Sequence, residues 1–168
     1  MPSVAREIQV DAPIEKVWAV LADIEAVQDY SPGVVKSYCT SDMREGVDAS
    51  RHCDLLHTGT VEERIVDWRD GEQYSIEIYA SSEVPYTGVA HFSVKRDGVG
   101  TIVTEIMDYM PSDDTPIALE GKSLQGLVSK VIEGNLVGLK HFVENSEVVT
   151  HEVFKRIRQS GRGKLSSS

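Results

Sequence analysis

No apolar run in this 168-residue chain approaches the roughly 18–20 residues that a membrane-spanning helix needs, so helical insertion into a bilayer is not expected. Cations are also short: 17 Lys and Arg stand against 27 Asp and Glu, for a formal charge of −10 and a pI near 4.9. Such a chain lacks the basic patch that nucleic acid or an anionic membrane surface would require. Cysteine is scarce. Cys39 and Cys53 fall on separate predicted strands, with neither CxxC spacing nor a Cys/His cluster, which reads as two ordinary buried thiols with no metal and no cofactor. No targeting segment is seen before a first strand that starts almost at Met1, and the expected compartment is the reducing cytoplasm. Neither a repeat nor a low-complexity run divides the chain. Residues 1–147 are therefore read as one domain. Residues 148–168 are read as the end of a helix and a partly disordered Ser/Gly-rich tail, which gathers Lys155, Arg156, Arg158, Arg162 and Lys164 with no acid after position 154.

What the chain does have is one long amphipathic segment, from Pro116 to Asn145. Leu124, Leu127, Val128, Val131, Ile132, Leu136, Leu139, Phe142 and Val143 recur at three- and four-residue spacing, and Asn135 interrupts the stripe. Thr115 can cap this helix and Pro116 can take its first position. Gly126, Gly134 and Gly138 lie inside it, although each costs about 1 kcal/mol relative to alanine. They imply close backbone approach or open space beside the helix.

Ahead of it, Val4–Val10 alternates as a strand, and Pro13 opens a helix with Ile14, Val17, Trp18 and Leu21 on one face. A short helical turn over Ile24–Asp29 follows. Strands are then expected near 34–41, 47–56, 60–68, 73–79, 87–95 and 101–110, separated by turns such as Asp70-Gly71 and Asp97-Gly98-Val99-Gly100. The result is an α+β domain in which about seven antiparallel strands curl around a long C-terminal helix, with two short helices after the first strand.

Register arithmetic assigns faces. A turn centred between Gly98 and Val99 sets Phe92 opposite Glu105, Val94 opposite Val103, Ala90 opposite Met107 and Gly88 opposite Tyr109. These residues share an apolar, inward side with Tyr86, while His91 points outward. Glu105 is then a carboxylate among apolar neighbours and must be paired, hydrated or protonated. The Asp70-Gly71 hairpin groups Val66, Trp68, Tyr74, Ile76 and Ile78. Arg51, Cys53 and Leu55 share a face, and Lys36 lies with Val34 and Tyr38. An inward Lys36 or Arg51 would serve as a partner for Glu105.

The run Val10-Asp11-Ala12-Pro13-Ile14-Glu15-Lys16-Val17-Trp18-Ala19-Val20-Leu21-Ala22-Asp23 resembles the opening strand and helix of the START/Bet v 1-like (SRPBCC) helix-grip proteins. Gly100-Thr101-Ile102-Val103-Thr104-Glu105 is similar to a strand of their polyketide cyclase/dehydrase-like branch. The resemblance spans about residues 3–147 and implies a helix-grip fold. The superfamily includes lipid carriers, hormone receptors and aromatase/cyclases, so the resemblance says less about function. A looser similarity to the plant abscisic-acid receptors implies pocket roles for Glu105 and Asn135, which there help hold water around a ligand carboxylate. It also implies pocket roles for Lys36, Arg51 and Tyr86. Gly88 replaces a receptor serine, and Leu56-His57-Thr58-Gly59-Thr60 replaces the receptors' gate loop.

Three function classes follow. The first is a container for a small, largely hydrophobic ligand (a lipid, polyketide or aromatic/isoprenoid-like molecule, with or without a carboxylate or carbonyl). Its walls would be Trp68, Tyr74, Ile76, Ile78, Phe92, Met107, Tyr109, Val128, Val131 and Leu139, and its polar anchors Lys36, Arg51, Tyr86, Glu105 and Asn135. The second is a cyclase- or dehydratase-type enzyme with Glu105 as acid/base, although no catalytic residue is assigned and no Ser/His/Asp constellation is apparent. The third is an interaction module with a filled interior. The expected partner is a small hydrophobic ligand and the expected assembly a monomer or weak homodimer.

Overall fold

The computed structural model of the chain describes residues 1–116, 121–161 and 165–167. Strand β1 (Ser3–Val10) leads into α1 (Ile14–Ala22), a 3-10 turn (Ile24–Ala26) and α2 (Val27–Tyr30). Six strands follow: β2 (Val34–Cys39), β3 (Ser50–Leu55), β4 (Thr60–Arg69), β5 (Gln73–Ser81), β6 (Tyr86–Asp97) and β7 (Gly100–Pro111). Helices α3 (Lys122–Asn145) and α4 (His151–Gln159) close the chain, with a two-residue strand β8 (Ser166–Ser167). The antiparallel sheet has the order β2-β3-β4-β5-β6-β7-β1-β8 and curls as a half-barrel around α3. This is the expected α+β architecture.

Local chemistry explains the joints. Pro13, in an extended conformation, precedes α1, and Glu15 sits in the first turn, where the helix end is positive. Val17, Trp18 and Leu21 of α1 are buried against the sheet. Close approach is the reason for two glycines of α3. A Cβ at Gly138 would lie 1.7 Å from the Tyr30 carbonyl oxygen, and one at Gly134 would lie 3.1 Å from Pro32 Cγ. The end of α2 therefore seats directly on the α3 backbone. Among the described residues no such neighbour faces Gly126.

The long helix starts later than its periodicity suggests. α3 begins at Lys122, and Thr115 is not its cap: the Thr115 hydroxyl donates to the Pro85 carbonyl and so ties down the β5–β6 loop. Residues 117–120 of the expected helix lie outside the described residues. At the other end Ser146 adopts a left-handed conformation (φ 55°) and stops α3. Thr150 then caps a separate helix, its hydroxyl accepting from Val153 N at 3.2 Å. α4 buries Ile157, and its basic last turn suits the negative helix end. Arg156 pairs with Glu147, and Arg158 with Glu133.

The β6–β7 register matches the arithmetic: Phe92 pairs with Glu105, Val94 with Val103, Ala90 with Met107 and Gly88 with Tyr109. The β4–β5 hairpin departs from it. Pairing is regular from Arg69↔Gln73 to Asp67↔Ser75, then shifts so that Ile65 meets Ile76, and shifts again between Glu62 and Glu63. Val66 is the extra residue of the first bulge. It is exposed, while Ile65 is fully buried in its place. This corrects the grouping of Val66 on one face with Trp68, Tyr74, Ile76 and Ile78. It also turns Val61 and Glu63 toward the interior with Ile65.

Candidate functional site

A cavity of about 200 Å³ lies between the sheet and α3. Its floor is Ile76, Ile78, Ala90, Phe92 and Met107, and Val27, Val34, Leu55 and Val61 close its sides. Its mouth lies among Thr58 of the β3–β4 turn, Val84 and Pro85 of the β5–β6 loop, and Leu127 and Val131 of α3. Val131 is 41% exposed although it lines the cavity, as a rim residue would be.

Beyond Phe92 the interior is filled by a row of aromatic rings, stacked from Trp68 to Phe92 with Trp18 tilted against them. Trp18 lies 5.3 Å from Trp68, Trp68 5.8 Å from Tyr74, and Tyr74 5.1 Å from Phe92, measured between ring centroids. Trp18 Nε1 donates to Asp70 Oδ1 at 3.1 Å, which fixes α1 over the hairpin turn. Trp68 and Tyr74, expected as cavity walls, belong to this row. Tyr109, Val128 and Leu139 are likewise buried in the core and do not line the cavity.

Six polar side chains project into the interior. Ser31, at the end of α2, donates through Oγ to Asn135 Oδ1 at 2.7 Å. Asn135 Nδ2 then donates to both Glu105 oxygens, at 3.1 and 3.4 Å. On the β3–β4 side, Arg51 donates from Nε to Glu63 Oε1 at 3.1 Å and from NH1 to the Ile24 carbonyl at 2.9 Å. Tyr86 lines the cavity and is 8% exposed, and its hydroxyl has no hydrogen-bond partner among the described residues.

Arg51 faces inward as expected, but its partner is Glu63. The alternation count missed Glu63 because the β4 bulge changes its face. The signal available in the sequence was the apolar doublet Ile65-Val66, which no unbroken alternation can accommodate. The partner of Glu105 is the Asn135 amide. Lys36 is a further correction. The β2–β3 pairing shifts between Val34 and Lys36, which leaves Lys36 exposed beside the outward Tyr38, 6.0 Å from its ring, while Val34 lines the cavity. Of the other expected residues, Arg51, Ile76, Ile78, Tyr86, Phe92, Glu105, Met107, Val131 and Asn135 meet around the cavity.

The electrostatics follow from one cation set among two carboxyls. Burial pushes the Glu105 carboxyl up to about 8, and Glu63 adds to this, while the Asn135 hydrogen bond and Arg51 oppose it. Burial weakens the charged form of Arg51, but Glu63 together with Cys53, Tyr74 and Tyr30 outweighs it, and the guanidinium stays firmly protonated. Burial likewise raises the Tyr86 and Tyr74 phenols and lifts Tyr30 to about 12. Near neutral pH the interior therefore holds a paired Arg51–Glu63 and a protonated Glu105, a group able to donate a hydrogen bond or a proton.

A Ser/His/Asp series does form, but on the outer face. Ser75 Oγ lies 2.7 Å from His91 Nδ1, and His91 Nε2 lies 2.9 Å from Asp108 Oδ2. Ser75 is 7% exposed on a strand paired on both sides, so no free N–H groups stand beside it to stabilise an oxyanion. The series is a cross-strand clasp.

Among the described residues no helix is long and apolar enough to cross a membrane. No functionally curated protein sequence matches the chain. Solved structures with the same fold include XoxI of Bacillus cereus, at 18% identity and a TM-score of 0.70 over 86% of this chain and 97% of that one. A Thermus thermophilus protein matches at 21% identity and TM-score 0.72, over 86% and 99% of the two chains. A START superfamily protein of Mycobacterium smegmatis matches at 17% and 0.71, over 84% and 97%. Residues 1–144 match the model of the family described as polyketide cyclase / dehydrase and lipid transport, and with its curled sheet closed over α3 the chain belongs to that family.

Proposed function

We propose that the protein binds a small, largely hydrophobic molecule in the cavity between the sheet and α3. The observation that carries this reading is an apolar chamber into which Arg51, Glu63, Tyr86, Glu105 and Asn135 project, a few oriented polar groups in an otherwise greasy wall. A volume of about 200 Å³ is small, since a cavity of ~150 Å³ already accepts benzene. The fitting ligand is thus of the size of one ring with a short substituent, or a short alkyl chain. The family's description includes lipid transport, which agrees with carriage of such a molecule. The two free thiols suit a reducing, cytoplasmic setting.

Native mass spectrometry of the full chain, followed by denaturation and extraction, tests the proposal. It predicts a discrete small mass released on unfolding, or saturable uptake of apolar probes by protein that emerges empty. Protein that neither carries nor takes up such molecules would favour an interaction module.

A second reading has its own support. A protonated Glu105 facing the chamber could deliver a proton to a bound carbonyl in a cyclase- or dehydratase-type step. Turnover of a polyketone substrate that falls as pH rises through about 8, and that is abolished in Glu105→Gln, would establish it.

A further inference from the structure

The interior polar groups differ in what they still have to offer. Arg51 is the only cation lining the cavity among the described residues; its charge is paired with Glu63, and two of its five N–H groups donate to Glu63 and to the Ile24 carbonyl. Among the described residues Glu105 receives hydrogen bonds from Asn135 alone, and Ser31 holds the Asn135 amide in that orientation. Tyr86 lines the same wall, and its hydroxyl has no acceptor among the described residues, while the Tyr74 hydroxyl is the one fully buried side-chain polar atom among them without a partner. A ligand carboxylate would thus add a third acidic group to a chamber whose one cation is already neutralised, and desolvating it there is costly.

Resting on the container reading, we propose that the cavity selects an uncharged ligand whose polar end is a carbonyl oxygen (a ketone, ester or lactone), recognised by donation from Glu105 and Tyr86, and discriminates against the matching carboxylate. The buried Glu105, protonated near neutral pH, supplies an O–H with no acceptor among the described residues, and the Tyr86 phenol is a second such donor. A buried donor left without an acceptor is costly, so a carbonyl satisfies what the protein leaves open. The charge pattern separates this cavity from one that holds a ligand acid. Lys36, the other cation that the sequence offered to the interior, lies outside the chamber.

The test is calorimetric titration of the full chain near neutral pH with three probes of similar length: 2-nonanone, octanoate and nonylamine. The expected result is binding of the ketone at least tenfold tighter than octanoate. The ketone-over-octanoate ratio should shrink several-fold in Tyr86→Phe, whose unfolding midpoint stays at the wild-type value. Glu105→Gln, which keeps a donor, should retain the preference for the ketone. Octanoate binding as tightly as the ketone would overturn the proposal while leaving the container intact, because the chamber would then be an anion site. Nonylamine binding more tightly than the ketone would overturn it in the opposite sense, marking Glu105 as a counter-ion. An undiminished ketone preference in Tyr86→Phe would remove Tyr86 from the recognition. If none of the three binds up to its solubility limit, the proposal falls, and the container reading falls with it if apolar ring compounds also fail to bind.

Discussion

Replacing Glu105 by Gln should reveal the buried carboxyl through the pH dependence of stability. The wild-type carboxyl is 3% exposed and titrates at about 8, against about 4.5 when the chain is unfolded. Between those values the folded state holds a proton that the unfolded state has released. Wild-type stability therefore falls as pH rises from about 4.5, and the loss levels off above about 8. Gln has the shape of the protonated acid and cannot ionise. Every other titrating group is shared by the two proteins, so it cancels in their difference. At ~1.4 kcal/mol per pH unit of displacement, wild type should lose up to about 4 kcal/mol relative to Glu105→Gln between about pH 5 and pH 9. Most of that change should come below about pH 7. A fixed offset between Gln and the protonated acid does not affect this slope. Urea unfolding of both proteins at several pH values, compared at equal m-value, measures it. A gap that stays constant across the range would refute the reasoning, because Glu105 would then have to be solvated or held ionised by Arg51.

Three further perturbations test the packing. Gly138→Ala would drive a methyl group to 1.7 Å from the Tyr30 carbonyl oxygen and should cost at least about 2 kcal/mol, whereas Gly126→Ala meets nothing and should gain up to about 1 kcal/mol; thermal unfolding of the pair would contradict the assigned helix face if the order reversed. Glu63→Leu strips the counter-ion from the buried Arg51 and should destabilise by about 3–5 kcal/mol in urea, and a loss below about 1 kcal/mol would show that Arg51 finds another partner or water. Ile65→Ala should cost about 2–5 kcal/mol and Val66→Ala no more than about 0.5 kcal/mol in the same assay; the reverse order would remove the β4 bulge.

The sequence by itself determined the element order, the curled antiparallel sheet with a long C-terminal helix, and the inward position of Glu105 opposite Phe92. It could do so because the turn at Gly98-Val99 is tight and β6 and β7 pair without a break, so a fixed sum of residue numbers holds from Gly100 to Pro111. The helical period likewise placed Asn135 on the same face as Leu124 and Val128, and that face meets Glu105.

Only the tertiary structure decided the rest. A one-residue bulge exchanges the two faces of every residue beyond it, and nothing local announces it. The irregularity in β4 thus turned Glu63 inward as the partner of Arg51 and turned Val66 out, and the shift in β2 left Lys36 outside. The glycines of α3 were legible as glycines. Which backbone they admit depends on α2, about a hundred residues earlier, arriving at Gly138. Whether Tyr74 and Trp68 wall a cavity or fill the interior beyond it is set by how α1 lays Trp18 across them, a contact between elements that no periodicity along one strand contains.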